Sequence, residues 1–307
     1  MSGHSSRRAV VAALIANGGI AVAKFVGFFV TGSSAMLAEG VHSVADTGNQ
    51  GLLLLGDHRA KRAATRAHPF GYGRERYFWA FVVSMLLFAL GGLFALFEGV
   101  EKLRHPHPLD SAAVAVVILV VSIVLEGFSF RTAIREATGL RGGQGWFTFV
   151  RRSKNPEITV VLLEDLGALI GLVFALTGVG LEILTGNPLW DALGTIAIGS
   201  LLLVISIMLA VEMKSLLIGE AASEIDVAAI ESAVRDSPSV RKLIHLRTQH
   251  LAPDDILVAA KVELDGVLDF AGVASAIDVI ETRVRAAVPA SRLVFVEPAV
   301  FNEEATS

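Results

Sequence analysis

The stretch FWAFVVSMLLFALGGLFALFEGV, residues 78–100, decides the class of fold. It is apolar over the length that a helix needs to cross about 30 Å of hydrocarbon, which takes roughly 20 residues. A second run of the same kind, LLLVISIMLAV, covers residues 201–211. Both stretches predict helices that span a lipid bilayer.

The composition of the whole chain agrees with a membrane protein. Of the 307 residues, 53% are hydrophobic and only 18% are charged, whereas a soluble domain has about a quarter of its residues charged. We predict an α-helical membrane protein with six transmembrane segments, near residues 9–31, 35–56, 78–100, 111–130, 158–180 and 188–211. An even number of segments places the two termini on the same side of the membrane.

The distribution of Lys and Arg predicts the orientation of the segments. These residues are concentrated before the first segment (Arg7 and Arg8), between the second and third, and between the fourth and fifth. The loops TGSS and EILTGNP, on the other side, contain neither. Because short cytoplasmic loops are enriched in Lys and Arg, both termini are expected to be cytoplasmic. The apolar stretch after Arg8 is too long for a signal peptide.

The chain changes character after the sixth segment. We predict a transmembrane domain over residues 1–215 and a water-soluble domain over residues 216–307. In the second domain, helical and strand patterns follow one another in the order αββαβ, which suits a small α+β fold with helices on one face of a sheet. Ser223 is expected to cap the first helix, with Asp226 at its third position.

Several functions are excluded by the sequence. It has no Cys, which rules out disulfides and thiolate metal sites. From Glu220 onward there are 15 acidic and 8 basic residues, which argues against nucleic acid as a partner. A HExxH pair and a GxxxxGK[ST] loop are both absent, so neither a zinc protease nor an ATP motor is indicated. We expect no enzymatic activity and no cofactor.

Ionisable residues inside the predicted segments point to the function. The second segment contains His42 and Asp46, four residues apart and therefore on one face of a helix, and the fifth contains Glu164 and Asp165. A charged side chain at the centre of a membrane helix costs on the order of 2.5–3.5 kcal/mol. An imidazole and carboxylates are ligands for a divalent metal. Alternatively, these groups pair with Arg or Lys of other helices, for which Lys24 is the best candidate, although Lys24 could also extend to water.

The chain also resembles the cation diffusion facilitator family over nearly its whole length. The resemblance rests on the following motifs: TGSSAMLAEGVHSVADTGNQ (31–50), HPFGYGRERYFWAF (68–81), VLLEDLGALIGL (161–172), SLLIGEAA (215–222), HLRTQH (245–250) and PDDILVAAKVEL (253–264). It implies six spans, a cytoplasmic ferredoxin-like domain, homodimers, and export of metal by proton antiport. It also implies a multi-pass protein of a bacterial inner membrane.

The resemblance further implies a metal site. The family's ligands are two residues four apart on the second helix, matched by His42 and Asp46, and two four apart on the fifth, of which Asp165 matches the second. Val161 occupies the remaining position and cannot bind metal. Glu164 is the nearest substitute, and Asn17, Asn49, Gln50 or water are alternatives. Since adjacent residues diverge by about 100° on a helix, we expect only one of Glu164 and Asp165 to face the site.

The same resemblance bears on the soluble domain and on the metal. His245 falls where the family often has a ligand at the dimer interface, but the expected partners fall on Lys261, Phe295 and Glu297. We therefore expect no full metal cluster there. A site of one imidazole and two or three carboxylates suits zinc and also admits iron, manganese, cobalt or cadmium. A membrane metal sensor that transports nothing is the remaining alternative.

Overall fold

The computed structural model describes residues 18–300, which form two compact units. The first unit contains residues 18–58 and 78–213, and the second contains residues 59–77 and 214–300. The second unit therefore includes the segment that joins the second and third predicted spans. Asn17, Arg7 and Arg8 lie outside the described residues.

Seven helices are described in the part of the chain up to residue 218. They are α1 (Gly18–Thr31, its described part), α2 (Ser34–Ala60), α3 (Glu75–Arg104), α4 (Ala112–Arg141), α5 (Trp146–Arg152), α6 (Pro156–Thr185) and α7 (Leu189–Ile218). Of these, α3, α4, α6 and α7 are long and apolar enough to cross a membrane. Four of the six predicted spans are thus confirmed, and the count of six stays a prediction.

Helices α3 and α7 approach each other closely because glycines line their contact. A Cβ on Gly199 would lie 2.7 Å from the backbone nitrogen of Leu96, and one on Gly99 would lie 3.0 Å from that of Ile196. Lipid is as apolar as the helix surface, so the hydrophobic effect does not drive membrane helices together. Small residues compensate because they let the two backbones pack closely. Before these contacts, the middle of α3 takes a π-helical form over Leu87–Leu93.

The sequence of residues 136–157, Gly-rich and then basic and aromatic, predicts a cytoplasmic loop lying against the lipid headgroups, but the segment is largely helical. Helix α4 continues to Arg141 and ends where Gly142 and Gly143 adopt positive φ angles of 58° and 84°, a conformation that glycine adopts without a Cβ penalty. Helix α5 then places the buried Phe149 against Ala133, Ala137 and Leu162. The Gly-rich composition suggested a loop, whereas burial of one aromatic side chain stabilises a short helix.

The second unit contains a small sheet with two helices. Its elements are α8 (Glu224–Arg235), β1 (Val240–Ala252), β2 (Asp255–Leu264), α9 (Phe270–Ala287) and β3 (Leu293–Pro298). This is the predicted αββαβ order. The strands lie in the order β1-β2-β3, with β1 antiparallel and β3 parallel to β2. The core consists of apolar side chains from both helices and from the sheet, including Ile230, Val234, Val258, Val262, Ile280 and Val284.

The predicted cap of α8 is confirmed. Ser223 accepts a hydrogen bond from the backbone nitrogen of Asp226, at 3.1 Å, and donates one to the carboxylate of Asp226, at 2.7 Å. Together these bonds satisfy a backbone donor that the first helical turn leaves without an internal partner.

The segment 59–77 contacts the hairpin between β1 and β2. A Cβ on Gly73 would lie 2.7 Å from the Cβ of Ala252 and 2.8 Å from the carbonyl oxygen of Leu251. Next to this contact, Nη1 of Arg76 lies 3.5 Å from Oδ1 of Asp254. Only glycine fits at position 73 without displacing the hairpin.

Candidate metal site

Helix α2 presents its polar side chains on one face. It begins after Ser33, whose hydroxyl accepts a hydrogen bond from the backbone nitrogen of Met36 at 3.2 Å. Glu39, His42, Ser43 and Asp46 follow at spacings of three and four residues, and such residues neighbour one another on a helix. Because most of this face is buried, the polar groups must find partners on other helices.

Helix α6 supplies the opposite side of the site. Asn155 caps it by accepting a hydrogen bond from the backbone nitrogen of Ile158, and Pro156 occupies the first turn, where a missing N–H costs nothing. Two turns later the helix carries Val161, Glu164 and Asp165. Helix α4 packs closely along α6 and adds Glu126.

One cavity joins these helices. It is lined by Ser43, Asp46, Gln50, Glu126, Val161, Glu164 and Asp165. Three of the four predicted ligands, Asp46, Glu164 and Asp165, therefore lie around one space. Both Glu164 and Asp165 line the cavity, and the expectation that only one of them faces the metal stays a prediction. The two side chains reach the cavity from neighbouring positions on α6 and end at partners on different helices.

His42, the fourth predicted ligand, is connected to the cavity through Asp46. Its Nε2 atom lies 3.4 Å from Oδ2 of Asp46, without the geometry of a hydrogen bond. The imidazole is 1% exposed, and among residues 18–300 neither ring nitrogen has a hydrogen-bond partner. Oδ1 of Asp46 likewise has none. Buried polar atoms are nearly always hydrogen-bonded, so three orphaned atoms on two adjacent side chains indicate a place for a ligand.

The carboxylates on α6 have neutral partners. The amide nitrogen of Asn49 donates to Oε1 of Glu164 at 2.7 Å, and the hydroxyl of Ser129 donates to Oδ2 of Asp165 at 2.9 Å. Such bonds orient the carboxylates without neutralising them. Asn49, an alternative ligand, holds Glu164 through its amide nitrogen, and in the described residues its side-chain oxygen has no hydrogen-bond partner, while Gln50 lines the cavity.

Lys24 does not extend to water, nor does it pair with His42 or Asp46. It is completely buried, and its ammonium donates to Oε2 of Glu39 at 3.0 Å and to the hydroxyl of Ser43 at 2.8 Å. Lys24 lies near the middle of the described part of α1, Gly18–Thr31. Among residues 18–300, the alternative that Lys24 forms an ion pair thus applies to Glu39 and not to the predicted ligands.

The predicted ligands are grouped but do not form a closed coordination shell. Within residues 18–300, no group of three His, Asp or Glu side chains is placed to hold one metal ion. Asn17, the remaining alternative ligand, lies outside that range. The arrangement is a polar cavity whose carboxylates and imidazole would have to converge on an ion by small side-chain movements.

A second buried ionic cluster lies at the start of α7. Asp191 accepts hydrogen bonds from the hydroxyl of Ser33, from the backbone nitrogen and hydroxyl of Ser34, and from Nζ of Lys102 at 2.7 Å. Both charged side chains are buried. The cluster ties the beginnings of α2 and α7 to the end of α3.

The row of residues around His245 differs from a metal cluster in its charges. His245, Lys261 and Glu297 are neighbours across the three strands. Nζ of Lys261 lies 2.8 Å from Oε1 of Glu297, and this hydrogen bond together with the lysine charge lowers the pKa of Glu297 below its ordinary value. Lys261 therefore already binds the carboxylate of Glu297 that a metal ion would need as a ligand.

Three residues of the site were not singled out from the sequence: Glu126, Ser43 and Ser129. Glu126 had a visible signal, since it is an acidic residue inside the apolar segment 111–130. The two serines had none, because a hydroxyl is tolerated in any membrane helix by bonding to its own backbone.

Several known proteins are similar to this chain over much of its length. The family model described as the cation efflux transmembrane domain matches residues 10–218. The mouse (Mus musculus) protein "Proton-coupled zinc antiporter SLC30A9, mitochondrial" is 33% identical over 261 residues, which are 84% of this chain and 46% of that protein. "Zinc transporter ZitB" of Escherichia coli strain K12 is 27% identical over 229 residues, which are 74% of this chain and 68% of that protein.

The chain thus spans less than half of the length of its mouse relative. Among solved structures, a variant of the MamM C-terminal domain in its nickel form matches with a TM-score of 0.25 and 19% identity. That match covers 26% of this chain and 100% of the solved chain.

Proposed function

This chain belongs to the cation diffusion facilitator family, whose cation efflux domain it contains, and we propose that it exports a divalent metal ion, zinc, in exchange for protons. The family is one of transporters and not of enzymes. The proposed binding residues are His42, Asp46, Glu164 and Asp165. Glu126 and Gln50 are close enough to the same cavity to assist.

One observation carries the proposal. Asp46, Glu164 and Asp165 line a single cavity between membrane-type helices, next to an imidazole whose two nitrogens are buried without hydrogen bonds in the described residues. Several carboxylates crowded in a low-dielectric space repel one another, and a dication relieves that repulsion. Protons relieve it equally well, which makes metal and proton competitors for the same atoms.

This competition supplies the exchange. On the cytoplasmic side, a metal ion binds and displaces protons from His42 and the carboxylates. When the cavity opens to the other side, protons return to the same groups and the metal leaves. The proton gradient then supplies the energy, because each metal ion that leaves is replaced by protons that bind the same groups. Alternating exposure of one site requires that the helices move relative to one another.

Zinc is proposed because of the donor set and the relatives. One imidazole and carboxylate oxygens form a tetrahedral shell that Zn²⁺ accepts. Two relatives are named as zinc transporters, and one of those names includes proton coupling. Iron, manganese, cobalt and cadmium are the alternative substrates, because such a donor set does not exclude them.

We further propose the arrangement in the membrane. Residues 1–215 would form six spans with both termini in the cytoplasm of a bacterial cell, with α1 and α2 as the two spans beyond the four long apolar helices. Residues 216–307 would form a cytoplasmic ferredoxin-like domain through which two copies associate. The exposed apolar side chains of that domain, such as Phe270 at 89% and Val267 at 90%, support an interaction surface.

Flux through purified protein tests the transport proposal. The protein is reconstituted in liposomes, a pH gradient is imposed, and entry of zinc is followed with a trapped fluorescent chelator. Wild type should transport zinc only when protons can move in the opposite direction. Asp46→Ala and Asp165→Ala should each abolish transport, because each removes a carboxylate that both zinc and protons use.

His245→Ala serves as the matched control for loss of a potential ligand. It should keep most of the activity, because its neighbours Lys261 and Glu297 bind each other. Equal flux in Asp46→Ala and wild type would refute the site. Saturable zinc binding without any gradient-driven flux would refute transport and identify a membrane metal sensor. Competition with iron, manganese, cobalt and cadmium ranks the substrates.

Association of two copies is tested on the full chain in detergent. Sedimentation in the analytical ultracentrifuge should give a dimer, and addition of zinc should tighten it, since the acidic C-terminal domain gains from a bound dication. A monomer at all zinc concentrations would contradict the proposed dimer.

A further inference from the structure

The buried ion pair between Lys24 and Glu39 lies next to the metal site without belonging to it. Both side chains are 0% exposed, and Nζ of Lys24 lies 3.0 Å from Oε2 of Glu39. The same ammonium donates to the hydroxyl of Ser43 at 2.8 Å. Lys24 therefore binds two side chains of α2, which lie on successive turns of the same face.

Each of these two points precedes one of the proposed ligands by about one helical turn. Glu39 is three residues before His42, and Ser43 is three residues before Asp46. Because residues three and four apart neighbour one another on a helix, a cation bound to both Glu39 and Ser43 fixes the rotation of α2 at the level of His42. Ser43 also lines the cavity together with Asp46.

Helix α6 contacts the same pair from the other side. A Cβ on Gly171 would lie 2.7 Å from Oε1 of Glu39, so the carboxylate packs directly on the helix backbone. In the described residues, that oxygen has no hydrogen-bond partner. Glu39 is thus confined between Lys24 on α1 and Gly171 on α6, the helix that carries Glu164 and Asp165.

We propose that the Lys24–Glu39 pair is a positioning device for metal binding: it sets the rotation of α2 so that His42 and Asp46 face α6. The proposal rests on the transport function proposed above. Glu39 itself is not a ligand, because its charge is already matched by an ammonium at 3.0 Å. Helices α1 and α2 then move as one body at this level when the cavity changes sides.

Four variants separate positioning from simple stabilisation of a buried charge. Lys24→Met and Glu39→Gln each remove one partner, Lys24→Met/Glu39→Gln removes both charges, and Lys24→Glu/Glu39→Lys reverses the pair. In the reversed pair the hydroxyl of Ser43 can donate to the new carboxylate instead of accepting. The readout is the KM for zinc, compared with the maximal rate, in liposomes with an imposed pH gradient.

Both single variants should raise the KM for zinc by roughly 10-fold or more, the range seen when groups that orient metal ligands are removed. The neutral double variant should fold well yet keep the raised KM, because it lacks the ion pair that holds α2 in its rotation. The reversed pair should recover most of the wild-type KM. A neutral double variant with wild-type KM, or a folded reversed pair no better than it, would overturn the proposal.

Gly171→Ala tests the same idea without changing a charge and keeps it testable if the reversed pair does not fold. The added methyl displaces Glu39 and should raise the KM for zinc, whereas Gly180→Ala on the same helix, whose Cβ meets open space, should not. An unchanged KM in Gly171→Ala would contradict the proposal.

Failure of the proposed function gives a different result. Wild-type protein without gradient-driven zinc flux would refute transport whatever the variants do. The affinity of the purified variants for zinc, measured by titration calorimetry, would still decide whether the pair positions His42 and Asp46.

Discussion

Loss of the ammonium of Lys102 should destabilise the helical unit severely. Lys102→Met removes the only cation bound to the buried carboxylate of Asp191 in the described residues, at 2.7 Å. Removing one member of a buried ion pair costs about 3–5 kcal/mol, because the remaining charge is left uncompensated. Three neutral donors from Ser33 and Ser34 stay in place, so we expect the lower end of that range, about 3 kcal/mol.

Asp191→Asn should cost more than Lys102→Met. The lysine would stay buried with its charge unmatched, because only neutral acceptors such as the carbonyl oxygen of Gly32, at 3.4 Å, would remain. The variant Lys102→Met/Asp191→Asn should cost less than the sum of the two, since it leaves no unpaired charge.

Denaturation in detergent micelles, followed by tryptophan fluorescence, measures these differences, and Trp190 adjoins Asp191 in the sequence. The matched control is Glu101→Gln, which lies on the same helix as Lys102. It affects an exposed pair between Glu101 and His105, 3.7 Å apart, whose side chains are 52% and 66% exposed. It should cost at most about 1 kcal/mol. If Lys102→Met were no more destabilising than Glu101→Gln, the cluster would not stabilise the bundle.

Four further predictions concern other parts of the chain. Gly73→Val should release the segment 59–77 from the hairpin and speed its cleavage by trypsin. Gly266→Ala, where a Cβ meets open space, should not change the cleavage rate. Equal cleavage rates in the two variants would contradict the contact at Gly73. Burial raises the pKa of Asp255, so the charged carboxylate destabilises the folded state as pH rises through that pKa. Asp255→Asn should therefore have a higher melting temperature than wild type at neutral pH and the same melting temperature in acid. The hydrogen bond from Lys261 lowers the pKa of Glu297, so Glu297→Gln should have a lower melting temperature than wild type at neutral pH. This difference should disappear as pH falls through that pKa. A change of melting temperature in the same direction for both variants would contradict these pKa shifts. Val161→Asp should tighten zinc binding roughly 10-fold by adding the missing carboxylate to the cavity, while Val161→Ala should leave it unchanged, as calorimetric titration would detect.

The sequence determined the class of fold because the period and length of apolar runs are local properties. Residues 78–100 and 201–211 could be assigned to membrane helices without any partner, since lipid imposes the same requirement along the whole helix. The αββαβ order and the Ser223 cap followed from equally local patterns. The same reasoning placed His42 and Asp46 on one helical face.

Only the tertiary structure decided which charges meet. Lys24 pairs with Glu39, fifteen residues away, and Lys102 pairs with Asp191, on a helix that starts far along the chain. Both Glu164 and Asp165 reach one cavity, with Glu126 arriving from α4. Helical periodicity gives the face of each residue but not the neighbour that the face meets, because that depends on how glycines such as Gly99 and Gly199 let the helices approach.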